Sequence, residues 1–246
     1  MKTAKWFYAA MLLSMSVIMS CSSIEDVGNA LANNLSSSSS DGGGGGNGTS
    51  SSGSSSSGMG ASGEFTDSRD EQVYKYVKIG NQYWMAQNMN YKVEDGSSWC
   101  YRNLESNCET YGRLQSWATA KNKVCPSGWH LPSDTEWDTL INFVESDNGC
   151  TNCAAKHLKA TSGWSSNAGN GLDTYGFNAL PAGFGTTGGS FSSLGVASFW
   201  WTATPKGDTN EAYGRCIYCY GETNGNKVIG YTNAQPYYDS ARCVKN

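Results

Sequence analysis

The order of elements along the chain predicts an α+β domain: a hairpin, two helices, a long Gly/Asn/Ser-rich stretch and a closing run of strands. Two uneven distributions place that domain. Positions 36–63 hold 13 Ser and 10 Gly, a segment that cannot bury enough apolar surface to offset the entropy of ordering it. Residues 64–246 carry 27 aromatic side chains, about twice the density of an ordinary domain. One folded domain over 64–246 on a flexible tether is therefore expected.

The hairpin comes first. Val73 to Ile79 alternates, with Val73, Lys75, Val77 and Ile79 on one face and Tyr74, Tyr76 and Lys78 on the other. Gly80-Asn81 is a tight-turn dipeptide, and Tyr83 to Ala86 is the return strand. Leu114, Trp117 and Ala118 fall at helical spacing, which predicts a first helix over Tyr111 to Lys123 that stops before Cys125-Pro126. A second helix is announced by Ser133, whose hydroxyl caps it, and Glu136, whose carboxylate reaches back to the cap amide. Trp137, Leu140, Ile141 and Val144 then make its apolar face.

From Thr161 onward short aromatic islands, Trp164, Tyr175 to Phe177, Phe184 and Phe191, stand among Gly, Asn and Ser. They predict long ordered loops pinned by aromatic side chains. Strands are expected at Phe199–Thr204, Ala212–Tyr220, Lys227–Thr232 and Tyr237–Val244, with Asn224-Gly225-Asn226 as a hairpin turn.

At the other end, Lys2 and Lys5 precede an apolar run from Trp6 to Met19 that is too short to span a bilayer. This predicts a signal peptide over 1–20. Its last residues, Ile18-Met19-Ser20-Cys21, resemble a bacterial lipobox, which implies that Cys21 is lipidated and anchors the chain in the cell envelope. Ser22 in place of Asp implies sorting to the outer membrane and cell surface. The tract 21–63 is then a tether, and its Ser/Gly part from residue 36 has an r.m.s. span of roughly 30 Å.

Composition excludes several partners. Residues 64–246 contain 15 Lys and Arg against 18 Asp and Glu with no basic block, so a nucleic-acid surface is not expected. Only two histidines are present, His130 and His157, so a His-rich metal centre is not expected, and no motif calls for a cofactor. With Cys21 assigned to lipid, eight of the 9 cysteines remain. Cys100 and Cys108 flank a short turn and form the easiest local pair, and Cys125 with Cys243 closes a long loop. Cys150-x-x-Cys153 and Cys216-x-x-Cys219 stay open between local bridges, bridges from one pair to the other, a redox dithiol and a zinc ion between four thiolates. A strand over Cys216–Tyr220 would hold Cys216 and Cys219 about 10 Å apart. A local bridge there requires the strand to break.

Five strings carry a family likeness: Tyr83 to Asn90 (YWMAQNMN), Cys125 to Ser133 (CPSGWHLPS), Asn178 to Gly183 (NALPAG), Phe199 to Thr204 (FWWTAT) and Arg242 to Lys245 (RCVK). In order and spacing they resemble the Fibrobacter succinogenes major paralogous domain, over about 70–246. The resemblance implies a C-type lectin-like fold: two helices flanking a small antiparallel sheet, a long projecting loop region, and a disulfide, here Cys125–Cys243, that ties the last strand to the body. It further implies a secreted or surface-anchored protein of a polysaccharide-degrading bacterium.

A non-catalytic binding or adhesion module is the function this supports, with polysaccharide as ligand. Aromatic faces stack on sugar rings while amides and carboxylates pair their hydroxyls. Trp164, Asn167, Asn170, Asp173, Tyr175, Trp200 and Trp201 are the candidate ligand residues. The calcium–sugar motif of lectins is missing, since the matching strand has Trp201-Thr202-Ala203 and no Glu-Pro-Asn occurs. Asp208, Asn210 and Glu211 are the only other oxygen cluster noted. One alternative is an envelope structural module with a protein partner. Another is an enzyme: Leu131 to Trp137 is similar to a helix start of formylglycine-generating enzymes, and Cys216 with Cys219 resembles their copper-binding pair at a shorter spacing. No catalytic triad or paired carboxylates stand out.

Overall fold

The structure, a computed structural model, describes residues 61–208, 211–218, 225–234 and 237–246. The expected signal peptide, Cys21, the tether to residue 60, and Asn210, Cys219, Tyr220 and Asn224 lie outside the described residues. All the described residues fall within one unit, Gly53–Asn246.

Alternation makes the first three strands, β1 (Ser62–Thr66), β2 (Val73–Ile79) and β3 (Gln82–Met85), each antiparallel to the next. Ser62 and Gly63, placed in the tether by composition, already belong to β1. Gly63 lies under the Tyr76 ring, where an added Cβ would meet the phenol oxygen at 2.5 Å. Both faces of β2 are covered, which explains why Tyr74 is as buried as Ile79.

The helix expected over Tyr111–Lys123 is replaced. After β4 (Ser98–Trp99) and a 3-10 turn over Tyr101–Asn103, helix α1 occupies Glu105–Tyr111 and stops at Gly112, whose φ is +77°. Leu114–Ser116 then extends as β5, and helix resumes only as α2 (Trp117–Thr119), running into a π-turn over Ala120–Val124. Leu114 is buried from a strand and Ala118 is exposed, so the helical spacing of the apolar residues was incidental. Pairing of β5 with two neighbours outweighed local propensity.

After β6 (Trp129–His130) the capping box forms as expected. Ser133 Oγ accepts from the Glu136 amide, and the Glu136 carboxylate accepts from the Ser133 amide at 2.7 Å. It starts α3 (Asp134–Asp147), which buries Trp137, Leu140 and Val144. A short α4 (Ala154–Leu158) follows. The loops expected after Thr161 hold only in part, because a hairpin of β7 (Ala182–Thr186) and β8 (Phe191–Leu194) takes their second half.

The closing strands are β9 (Ser198–Pro205), β10 (Glu211–Ile217), β11 (Val228–Ala234), β12 (Tyr237–Ser240) and β13 (Val244–Lys245). The single strand expected over Tyr237–Val244 is thus two. β12 pairs with β5 and β7 in one sheet, and β13 pairs with β3 and β6 in another. The architecture is mostly β: a five-stranded sheet, β1-β2-β3-β13-β6, and an eight-stranded one, β11-β10-β9-β7-β12-β5-β4, with β8 on β7. One small sheet between two helices is therefore corrected to two sheets with one long helix.

Two cores result. One joins Val77, Ile79, Trp84 and Val244 to the apolar face of α3 and to Phe177 and Trp200; the other joins Tyr74, Met85, Trp129, Trp201 and Cys243. Neighbouring residues of one strand point to opposite faces, so Trp200 and Trp201 serve different cores. In the first, Trp84, Trp137, Phe177 and Trp200 form an aromatic cluster with ring centroids 4.9–6.0 Å apart.

Cys100–Cys108 and Cys125–Cys243 are bonded as expected. Cys150–Cys153 is a local bridge, so the two CxxC pairs neither bridge one another nor share a zinc ion. Cys216 is disulfide-bonded as well; the other six described cysteines are taken, so its partner lies outside the described residues. The strand breaks just beyond it, with β10 ending at Ile217 and Tyr218 at φ +57°.

Beside Cys243, Arg242 is 1% exposed. Its guanidinium donates to Asn88 Oδ1 from Nε (3.1 Å) and Nη2 (2.9 Å), and to the carbonyls of Phe177 and Asn178. The Trp200 indole N–H donates to the same Asn88 oxygen at 2.9 Å, while Asn88 Nδ2 donates to Tyr111 O and Ser240 Oγ. Burial pulls the guanidinium down to about 9, opposed by the Asp173 carboxylate, and leaves it charged at neutral pH. Replacing Arg242 by Met leaves two buried carbonyls unpaired at about 1–3 kcal/mol each. Denaturant unfolding of the Arg242→Met variant is therefore expected to show a loss of roughly 3–5 kcal/mol; a loss below 1 kcal/mol would contradict the role given to Arg242.

Candidate functional site

The loop from Lys159 to Pro181 is ordered from within. The Lys159 ammonium, 1% exposed, donates to the carbonyls of Ala168 (2.8 Å) and Gly169 (2.7 Å) and lies 5.2 Å from the Trp164 ring centroid. Trp164 is itself buried and donates its indole N–H to Ala179 O at 2.9 Å.

Three of the other candidate ligand residues in this loop, Asn170, Asp173 and Tyr175, are also engaged internally. Asn170 Oδ1 accepts from the Trp164 amide (3.1 Å), and Asp173 Oδ1 accepts from the Asn178 amide (2.7 Å). Tyr175 donates its hydroxyl to Asp147 and accepts from Asn148 Nδ2, both at 2.6 Å. Burial and the Asp147 carboxylate push the Tyr175 hydroxyl up to about 12. Trp200 and Trp201 are 0% exposed, and the Trp201 indole donates to Gln115 O at 2.9 Å. Among the seven, only Asn167 and Asn170 are exposed. The aromatic faces proposed for stacking are therefore core, and the seven residues do not make a surface.

The oxygen cluster fares no better. Glu211 pairs with the Lys206 ammonium at 2.6 Å, Asp208 stands exposed in a turn, and Asn210 lies outside the described residues. His130 bridges Asn246 Oδ1 (2.6 Å) and Glu136 Oε1 (2.8 Å), which ties the C-terminus to the capping box.

An open aromatic surface exists elsewhere, on the large sheet. Phe184 from β7, Phe199 from β9 and Tyr237 from β12 line a groove of about 340 Å³ together with Tyr218, Ser193, Val196, Ala197 and Asn233. Phe184 sits edge-on to Phe199 at 5.1 Å and 6.0 Å from Tyr237, so the rings hold one another in place. Val196, 38% exposed, leaves an aliphatic surface at the rim. Among the described residues, no Asp, Glu, Lys, Arg or His lines the groove. A charged ligand would lose its water there without gaining a counter-charge, whereas a neutral ligand with apolar faces and hydroxyls would be matched.

Beneath the groove lies a buried acid. Phe199 packs edge-on against Tyr231, 5.7 Å between centroids, and the Tyr231 hydroxyl donates to Asp239 Oδ2 at 2.6 Å. Asp239 is 0% exposed, and burial raises its carboxyl from 3.8 to about 7. Directly across the strand pair stands Gln115, and both Asp239 Oδ1 and Gln115 Oε1 are buried acceptors without a donor among the described residues. A proton on Asp239 would turn its unpartnered carboxylate oxygen into a donor.

Sequence reasoning placed Phe184 and Tyr237 on islands and strands but assigned them no site, because the groove forms only where β7, β9 and β12 come together. Asp239 left a local signal, an acid inside a strand between the aromatic Tyr237-Tyr238 pair and the small apolar Ala241.

Two sheets, a buried arginine lock, at least three internal disulfides and one aromatic groove define a cross-linked, β-rich domain. Over residues 77–245 the chain matches the Fibrobacter succinogenes major domain, and it belongs to that family. No curated protein and no solved structure matches it.

The raised carboxyl of Asp239 has a pH consequence. The native state binds a proton that the unfolded chain releases near 3.8, so this contribution to stability is complete below that pH and is lost as pH rises through about 7. Thermal melts from pH 4 to 8 should show the wild-type midpoint falling relative to Asp239→Asn, which keeps a neutral side chain throughout. Parallel curves for the two proteins would rule this out.

Proposed function

We propose that the chain is an envelope-anchored, non-catalytic binding module that holds a neutral polysaccharide strand in the groove of Phe184, Phe199, Tyr218 and Tyr237. The observation that carries this reading is that groove: it is open, aromatic and, among the described residues, free of charged side chains. An open channel accepts an internal segment of a polymer, where a closed cavity would select a free end. Ser193 and Asn233 supply hydroxyl and amide groups of the kind that pair sugar hydroxyls.

The rest of the reading fits around it. A lipid on Cys21 and a Ser/Gly tether of roughly 30 Å r.m.s. span would let the domain search an insoluble surface while staying attached to its cell. A C-type lectin-like ancestry is supported by the position of Cys125–Cys243, which fastens the last strand to the body. In this reading the long loop is scaffold and the sheet face is the ligand surface.

The test is retention of the whole chain, in detergent, on insoluble neutral glucan and xylan. Wild type should be retained on at least one of them. Tyr237→Ala should weaken retention about tenfold, the size of one lost stacking contact, while still melting in one cooperative transition. No retention on any neutral polymer, or retention indifferent to Tyr237→Ala, would refute the proposal.

A further inference from the structure

Outside the groove, one cluster of metal-ligating atoms is poised by the backbone. The sulfurs of Cys150 and Cys153 and a ring nitrogen of His157 lie within 4.8 Å of one another, all three residues half-buried. We propose that Cys150, Cys153 and His157 form a redox-gated site for a soft divalent cation such as Zn²⁺, closed while the Cys150–Cys153 disulfide is intact and opened by a dithiol reductant.

The chemistry balances. A thiolate of the reductant attacks one sulfur of the bridge, the S–S bond breaks, and the reductant's second thiol resolves the mixed disulfide and leaves as its own oxidised disulfide. Two electrons have passed to the protein and two thiols are free. Zn²⁺ then takes both as thiolates, their protons go to solvent, and the imidazole donates its lone pair as third ligand. Water completes the tetrahedron.

Three features hold the ligands in place without the bridge. The Cys150 amide donates to Glu145 O at 3.0 Å and the Cys153 amide to Glu145 Oε1 at 3.2 Å, so both cysteines are pinned to the last turns of α3. Asn152 sits at φ +56°, which turns the chain back between them. His157 Nδ1 bonds Thr174 Oγ1 at 2.9 Å, a contact that fixes the ring as supporting hydrogen bonds do in metal sites.

Among the described cysteines, each other bridge has at least one member in the core, Cys100, Cys108, Cys216 and Cys243 being 4%, 1%, 0% and 0% exposed, whereas Cys150 and Cys153 are both half-buried. Cys100 and Cys108 also lie near a carboxylate, Glu105, but that carboxylate is taken by Arg113 at 2.7 Å. A limiting reductant therefore meets Cys150–Cys153 first.

The test uses the whole chain, opened with limiting dithiothreitol, desalted without oxygen and titrated with Co²⁺, with mass mapping to identify the opened bridge. Untreated protein should give no thiolate-to-cobalt charge-transfer band. Opened protein should bind about one equivalent, displaceable by Zn²⁺. His157→Ala should weaken binding about 10-fold or more, and Cys150→Ser with Cys153→Ser should abolish it. Cys100→Ser with Cys108→Ser should leave it intact, which separates loss of the site from loss of a bridge. Absence of the band in protein whose Cys150–Cys153 bridge is mapped as open, or a band indifferent to His157→Ala, would overturn the proposal.

Discussion

A guanidinium buried without a carboxylate in contact has to be solvated by oxygens of the protein, and that requirement organises this fold. Arg242 meets it with Asn88 Oδ1 and the carbonyls of Phe177 and Asn178, and it lies 4.3 Å from the Phe177 ring centroid. Each partner comes from a different part of the chain: the exit of β3, the long loop and, through Trp200 on Asn88, strand β9. An unpaired charge of this kind costs several kcal/mol. The four segments are therefore held together or lost together, which makes the lock a device for a single arrangement more than a source of net stability.

The lock also explains how one terminal run serves two sheets. Ala241 to Cys243 cross from β12 in the large sheet to β13 in the small one, and Arg242 is the middle residue of that crossing. Cys243 bonds Cys125 across a sequence separation of 118, worth roughly 4–5 kcal/mol in the chain-entropy picture. Hydrogen bonds on one residue and a covalent bond on the next fix the same crossing from both sides. Trp200 and Trp201 do the equivalent on β9, each filling a different core.

Local signals were legible where local chemistry decides. The Gly80-Asn81 turn, the Ser133–Glu136 capping box and the apolar face of α3 depend on residues within a turn or two of one another, and all formed as expected. The Tyr111–Lys123 helix did not form, because the burial of Leu114 comes from strand neighbours at Trp99 and Ser240, far away in sequence. The ligand residues were misplaced for the same reason. A Trp in a Gly-rich loop has the same composition signal whether it faces solvent or a buried ammonium, and only Lys159, unremarkable in the sequence, decides it for Trp164. The groove needed three strands that pair non-sequentially, which no window of the sequence displays.

The strings that carry the family likeness contribute mostly to the lock and the cores: Asn88, Asn178, Trp200, Arg242 and Cys125 with Cys243 are all engaged internally. Family membership therefore speaks to fold before ligand. Of the groove residues only Phe199 lies in such a string, and it forms the floor, where its ring rests on Tyr231 and through the Tyr231 hydroxyl on Asp239. Phe184, Tyr218 and Tyr237 stand outside the strings. The same scaffold can thus change what the groove accepts without disturbing the lock, while the floor stays coupled to a buried acid whose protonation the core itself favours.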